Sequence, residues 1–159
     1  MNTLDVLKYG DNTFLTTLGG VDQAHWETGG VCGIWSVKDI VAHLTSYELF
    51  LGDVLTTFLD GGPTPTMQAM GELGPLNFND AQVELRQGNS PAEVLAEYKD
   101  AHSRVMELAG QIPTETFRKN GTIPWYGEGY DLDDLIVYNN YAHKREHCAE
   151  INHFRDQLG

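Results

Sequence analysis

Four long stretches of the sequence repeat apolar residues at three- and four-residue steps, and residues that start or stop helices bound them. In the first, Leu4, Leu7, Phe14, Leu15 and Leu18 share one face with Asp11, and Gly19-Gly20 closes it. Ser36 with Asp39 three residues later is a box-like start for a second helix, from Val37 to about Leu59. Its stripe is Ile40, Val41, Leu44, Tyr47, Leu51, Val54, Leu55 and Phe58, with His43 on the flank, and Gly61-Gly62-Pro63 cannot continue it. Ser90-Pro91-Ala92-Glu93 joins an N-cap, a proline at the first helical position and a capping glutamate. It opens a third helix whose inner face is Val94, Tyr98, Ala101, Val105, Leu108 and Ile112. Asp131 with Asp134 opens the last helix, which runs to about Gln157. Residues 63–89 form a Pro/Gly/Thr-rich connection with a short amphipathic piece from Asn79 to Arg86, and residues 114–129 read as loop with one turn of helix. No strand pattern is evident. The expectation is an all-α single domain over residues 1–159, a four-helix bundle with a long crossover between helices 2 and 3.

A chain of 159 residues buries about two-thirds of the surface its unfolded form exposes, so a disulfide framework is unnecessary. Cys32 and Cys148 lie far apart without CxxC spacing and read as free thiols of a reducing compartment. The N-terminus lacks a basic region followed by an apolar run, and no stretch approaches the ~20 apolar residues that cross a bilayer. The expectation is a cytoplasmic protein with no membrane contact. A net charge of -13 opposes binding to phosphate backbones, so nucleic acid is not an expected partner.

On the last helix Leu132, Ile136, Ile151, Phe154 and Leu158 share the side expected to be buried, but its middle is polar: Asn139 or Asn140, His143, His147 and Glu150. Buried polar groups cost free energy unless a partner satisfies them, so several together suggest a site. His143 and His147, four apart, rise from successive turns with Cβ atoms ~5–6 Å apart, a spacing that suits two ligands of one ion. Imidazole binds Zn, Ni or Fe, and His43, on a helix that must pack near the last one, is the natural third ligand. His25, His102 and His153 read as structural or surface residues.

These residues resemble a known family. Gly33-Ile34-Trp35-Ser36-Val37-Lys38-Asp39-Ile40-Val41-Ala42-His43-Leu44 resembles the W-S-x-K-[DE]-x-x-x-H-L segment of the DinB-like superfamily, and Tyr141-Ala142-His143-Lys144-Arg145-Glu146-His147 resembles its C-terminal His-x-x-x-His helix. The resemblance implies an up-down-down-up bundle, often a homodimer, with a divalent metal ion on His43, His143 and His147. The superfamily includes mycothiol-dependent maleylpyruvate isomerase, bacillithiol S-transferases and ClbS-like proteins. The activity it implies is transfer of a low-molecular-weight thiol, as cosubstrate, to a small electrophilic substrate. Three neutral ligands leave a coordination position open, as catalytic sites do. Asn139, Asn140 and Glu150 are candidates to touch a ligand histidine or face substrate. Trp35, Trp125 and Tyr126 are candidates to wall an apolar pocket, and Asp11 to hydrogen-bond a ligand histidine. Two other readings stay open: a non-catalytic metal or small-molecule binder, and a hydrolase using a metal-activated water. His143-Lys144-Arg145-Glu146-His147 also satisfies the His-x-x-Glu-His pattern of inverted zinc peptidases, but those enzymes are much larger and the helical wheel places Glu146 on the outer side.

Overall fold

The computed structural model describes residues 2–159. Among the described residues every regular element is helical, and the only extended pairing is an isolated bridge between Cys32 and Trp35. Helix α1 (Thr3–Gly19) starts where the Asn2 side chain accepts the Asp5 amide. Helix α2 (Val37–Thr56) opens on the reciprocal bonds between Ser36 and Asp39 that its sequence predicts. It ends three residues before the expected Leu59, because the Phe58 and Leu59 amides reach back three residues rather than four.

The crossover holds more helix than the sequence suggests: α3 (Pro65–Leu73) and α4 (Pro75–Leu85), each with proline in its first turn, meet at Gly74, whose φ of 76° suits only glycine. Thr64 provides no side-chain cap for α3; instead Asp53 of α2 accepts the Thr66 and Met67 amides at 2.7 and 3.0 Å. A cap supplied by another helix leaves no local signature, which is why α3 is not apparent in the sequence. Helix α5 (Pro91–Ala109) opens on the Ser90/Glu93 box. After a short 3-10 turn at Thr114–Arg118, Asp131 and Asp134 open α6 (Leu132–Ile136), a π-helical turn spans Val137–Ala142, and α7 (His143–Gln157) completes the same rod. The expected unbroken α-helix is thus interrupted at Val137–Ala142, and Leu158 lies beyond its end, exposed rather than in the buried stripe.

Helix α2 packs most extensively on α5, and α1 packs on α7. Two apolar clusters fill the interior. One gathers Leu7, Leu51, Leu55, Val105, Leu108, Leu132 and Ile136; the other gathers Phe14, Trp26, Ile40, Leu44, Val94, Tyr98 and Ile151. Each such side chain stabilises the fold by about 1.5–3 kcal/mol when fully buried. Along each packed helix a polar residue lies between the positions contributed to the two clusters: Asp11 on α1, Glu48 on α2, His102 on α5, and Asn140 with Lys144 on the last rod. The polar break seen in the last helix is therefore one edge of a layer crossing the whole interior, and the histidines lie beside it.

Candidate metal centre

His43 is buried on α2, His143 opens α7 immediately after the π turn, and His147 follows one turn later. The His43 and His143 Nε2 atoms are 2.9 Å apart, and those of His143 and His147 are 3.1 Å apart. The second nitrogen of each ring decides what these short separations mean. The Asn139 backbone carbonyl, one turn back, favours the protonated form of His143 but is outweighed by burial and by His147. His147 Nδ1 lies 2.7 Å from Glu150 Oε2, so its proton is on Nδ1. His147 Nε2 is therefore a bare lone pair, and a single proton on His143 Nε2 could reach either it or His43 Nε2, not both. A proton on His43 Nε2 would serve His143, leave the His143–His147 contact without a proton, and leave the buried His43 Nδ1 as an orphaned lone pair.

A cation shared by the three Nε2 atoms removes the conflict. An ion with tetrahedral ligands at about 2.0 Å has neighbouring ligand atoms about 3.3 Å apart, close to the two spacings to His143, and all three histidines offer a nitrogen within 4.8 Å of the others. The donor set therefore fits a late first-row divalent ion. Burial, and then the neighbouring imidazoles, lower the His43 pKa to about 2 and the His143 pKa to about 4, so both rings are neutral ligands near pH 7.

Aromatic rings flank the histidines. Trp35 lies 4.8 Å from the His43 ring, and Tyr47 lies 5.0 Å from His43 and 4.7 Å from His143. The Tyr47 hydroxyl donates to Asn79 Oδ1 at 3.2 Å, tying α4 to this side of the site. A cleft of about 280 Å³ opens here, lined by Tyr47, Tyr138, Asn139, Ala142, His143 and Glu146. Cys32 also approaches: its Sγ, a His147 nitrogen and a Glu150 oxygen lie within 4.8 Å of one another. Burial and the Glu150 carboxylate push the Cys32 thiol up to about 11, so it is a protonated neighbour of Glu150 near pH 7.

Of the residues singled out in the sequence, His43, His143, His147, Glu150, Asn139 and Trp35 come together. Asn140 turns inward to Glu48. Asp11 does not reach these histidines: it accepts from the Tyr98 hydroxyl at 3.0 Å and lies 3.6 Å from His102, because its face of α1 looks toward α5. Trp125 and Tyr126 lie elsewhere: Trp125 is more than half exposed against Phe50, and Tyr126, against Tyr130, packs on the cluster around Leu51 and Leu55. Glu146 is exposed, as the helical wheel suggests, yet it edges the cleft. Sequence reasoning missed half-buried Cys32 beside His147 and the buried Glu48 and Lys144. Glu48 had a usable signal, since it continues the Val41–Leu44 stripe by a further four residues.

The family model described as Mycothiol maleylpyruvate isomerase N-terminal domain matches residues 9–125. The match includes Trp35 and His43 and stops before the final rod, so His143 and His147 rest on the geometry above. No curated protein and no solved structure matches the chain. No helix among the described residues is long and apolar enough to cross a membrane.

Proposed function

The chain belongs to the mycothiol maleylpyruvate isomerase N-terminal domain family, within the DinB-like superfamily. On that footing we propose that it is a metal-dependent S-transferase that joins a low-molecular-weight thiol to a small electrophile at His43, His143 and His147. The observation that carries this reading is the convergence of three imidazole Nε2 atoms, with the His147 ring proton committed to Glu150 and the buried His43 Nδ1 without a partner. A divalent ion of the Zn, Ni or Fe type held there supplies Lewis acidity that favours thiolate over thiol near neutral pH.

The chain's own groups have separate tasks. Glu150 holds the His147 imidazole in the ligating tautomer. Trp35 and Tyr47 keep water from the flank of the site and offer ring faces to an apolar acceptor. Glu146, the carboxylate lining the cleft, can accept the thiol proton and pass it to solvent as the S–C bond forms and the acceptor's carbon–leaving-group bond breaks, the leaving group departing as its anion. The same reading takes the fold as an up-down-down-up four-helix bundle of α1, α2, α5 and the final rod, with α3 and α4 as the crossover. The packing of α2 on α5 and of α1 on α7 supports it.

The test is conjugation of small thiols, such as cysteine and 2-mercaptoethanol, to a chromogenic aryl halide by chelator-stripped protein before and after reconstitution with each ion. Metal-dependent conjugation is expected. Stoichiometric thiol binding without turnover across several acceptors would favour a binding protein instead.

A further inference from the structure

The reading above leaves unused a fully buried carboxylate, that of Glu48, which lies beside the histidines. Its side chain has no exposure. Three donors from two other elements meet it: Lys144 Nζ at 2.5 Å and Asn140 Nδ2 at 3.3 Å on Oε1, and His102 Nδ1 at 3.0 Å on Oε2. Lys144 is equally enclosed, with its ammonium 5.5 Å from the centre of the Tyr98 ring. His102 leads on to Asp11, which accepts from Tyr98. An ion pair sealed from water in this way is a poor source of stability, since desolvating both charges offsets most of their attraction. A role in specifying geometry is the better account.

The geometry in question is that of the final rod. Asn140 lies inside the π turn Val137–Ala142, Lys144 follows four residues later, and His143 sits between them in sequence. A π turn bonds i to i+5 and holds more residues per turn than an α-helix, so it rotates everything beyond it about the helix axis. Relaxation of Val137–Ala142 to α geometry would turn His143 and His147 away from His43. One carboxylate oxygen that accepts from both Asn140 and Lys144 opposes that relaxation, and α2, which carries Glu48, also carries His43 five residues earlier.

We infer that Glu48 is a positioning residue for the metal centre: through Asn140 and Lys144 it holds the π turn in the register that brings His143 and His147 to His43. The inference rests on the metal-binding part of the function proposed above. Its test is the affinity of the chelator-stripped protein for Co²⁺ and Zn²⁺, measured by competition with a chromophoric chelator, together with the visible Co²⁺ ligand-field band. Glu48→Gln is expected to bind at least tenfold more weakly with a shifted band. Arg86→Met, which breaks the pair between buried Arg86 and half-buried Glu97 away from this layer, is expected to lower the melting temperature yet keep the wild-type affinity and band. Should Glu48→Gln fail to fold, the Glu48→Leu/Lys144→Met double variant removes both buried charges and is expected to fold with the same weakened site. Wild-type affinity and an unshifted band in either folded variant would overturn the positioning role alone. Absence of tight binding in the wild-type protein would overturn the metal reading on which it rests.

Discussion

Glu150 Oε2 lies 2.7 Å from His147 Nδ1, one turn along the same helix, and this contact settles which nitrogen of the ring faces His43 and His143. A carboxylate in that place fixes the tautomer and raises the basicity of the opposite nitrogen. Glu150→Gln keeps an oxygen that can accept the bond but removes the charge, whereas Glu150→Ala frees the ring. Metal affinity should fall about 10–100-fold in Glu150→Ala and by less in Glu150→Gln. Competition titration with a chromophoric chelator measures both, and equal affinities in all three proteins would show that the contact has no bearing on the ion.

The three histidines should act as one unit. His143 and His147 alone leave an ion under-coordinated, and the ligand that closes the set comes from α2. An ion bound only by the native state, at 100 times its dissociation constant, stabilises it by about 2.7 kcal/mol. Chelation should therefore lower the wild-type melting temperature, and that of the exposed-site control His153→Ala, by several degrees. His43→Ala, His143→Ala and His147→Ala should each melt at the same temperature with and without chelator. A full equivalent of tightly held metal in His43→Ala would remove α2 from the site.

Features settled by local chemistry were legible in the sequence. The Ser36/Asp39, Ser90/Glu93 and Asp131/Asp134 boxes operate within four residues, and each opens the helix it announces. The His143/His147 pair needs only the helical repeat, and the same repeat finds the polar break around it. What was hidden depends on partners far along the chain. Asn140 meets a carboxylate 92 residues away, so nothing within Val137–Ala142 announces the π turn. The cap of α3 comes from Asp53 on α2, and the partners of Asp11 come from α5. Trp125 and Tyr126 lie outside regular helix, where no periodicity says which way a ring points.

Tyr47 separates binding of the ion from handling of the substrate. Its ring packs on His43 and His143 without ligating, and its hydroxyl holds Asn79 of α4 across the site. Tyr47→Ala should retain one equivalent of metal while thiol conjugation falls about tenfold, the effect of ~1.4 kcal/mol of lost positioning. Tyr47→Phe, which keeps the ring, should lie nearer the wild type. Metal analysis and steady-state rates on the two variants check this, and undiminished conjugation in Tyr47→Ala would take the ring out of the substrate's path.

Acid should unfold the metal-free protein in a way these rings determine. The folded pKa values of His43 and His143, about 2 and about 4, lie below the ordinary 6.5, chiefly through burial. Burial alone would raise Glu48, but Lys144 and His102 outweigh it and hold that carboxyl below its usual range. For groups depressed in the folded state, the unfolded chain takes up protons first as the pH drops. Their stabilisation is therefore present above the unfolded pKa and is lost below it. The loss begins near pH 6.5 for the two histidines, with Glu48 joining below its ordinary 4.5, at up to about 1.4 kcal/mol per pH unit for each group. The net charge of -13 acts in the opposite sense, because protonating surface carboxylates relieves self-repulsion. A comparison cancels that background. Between pH 7.5 and 5, chelator-treated wild type should lose more of its melting temperature than the His43→Gln/His143→Gln variant, which carries the same surface. Parallel pH profiles for the two proteins would mean that these imidazoles are not held neutral in the fold.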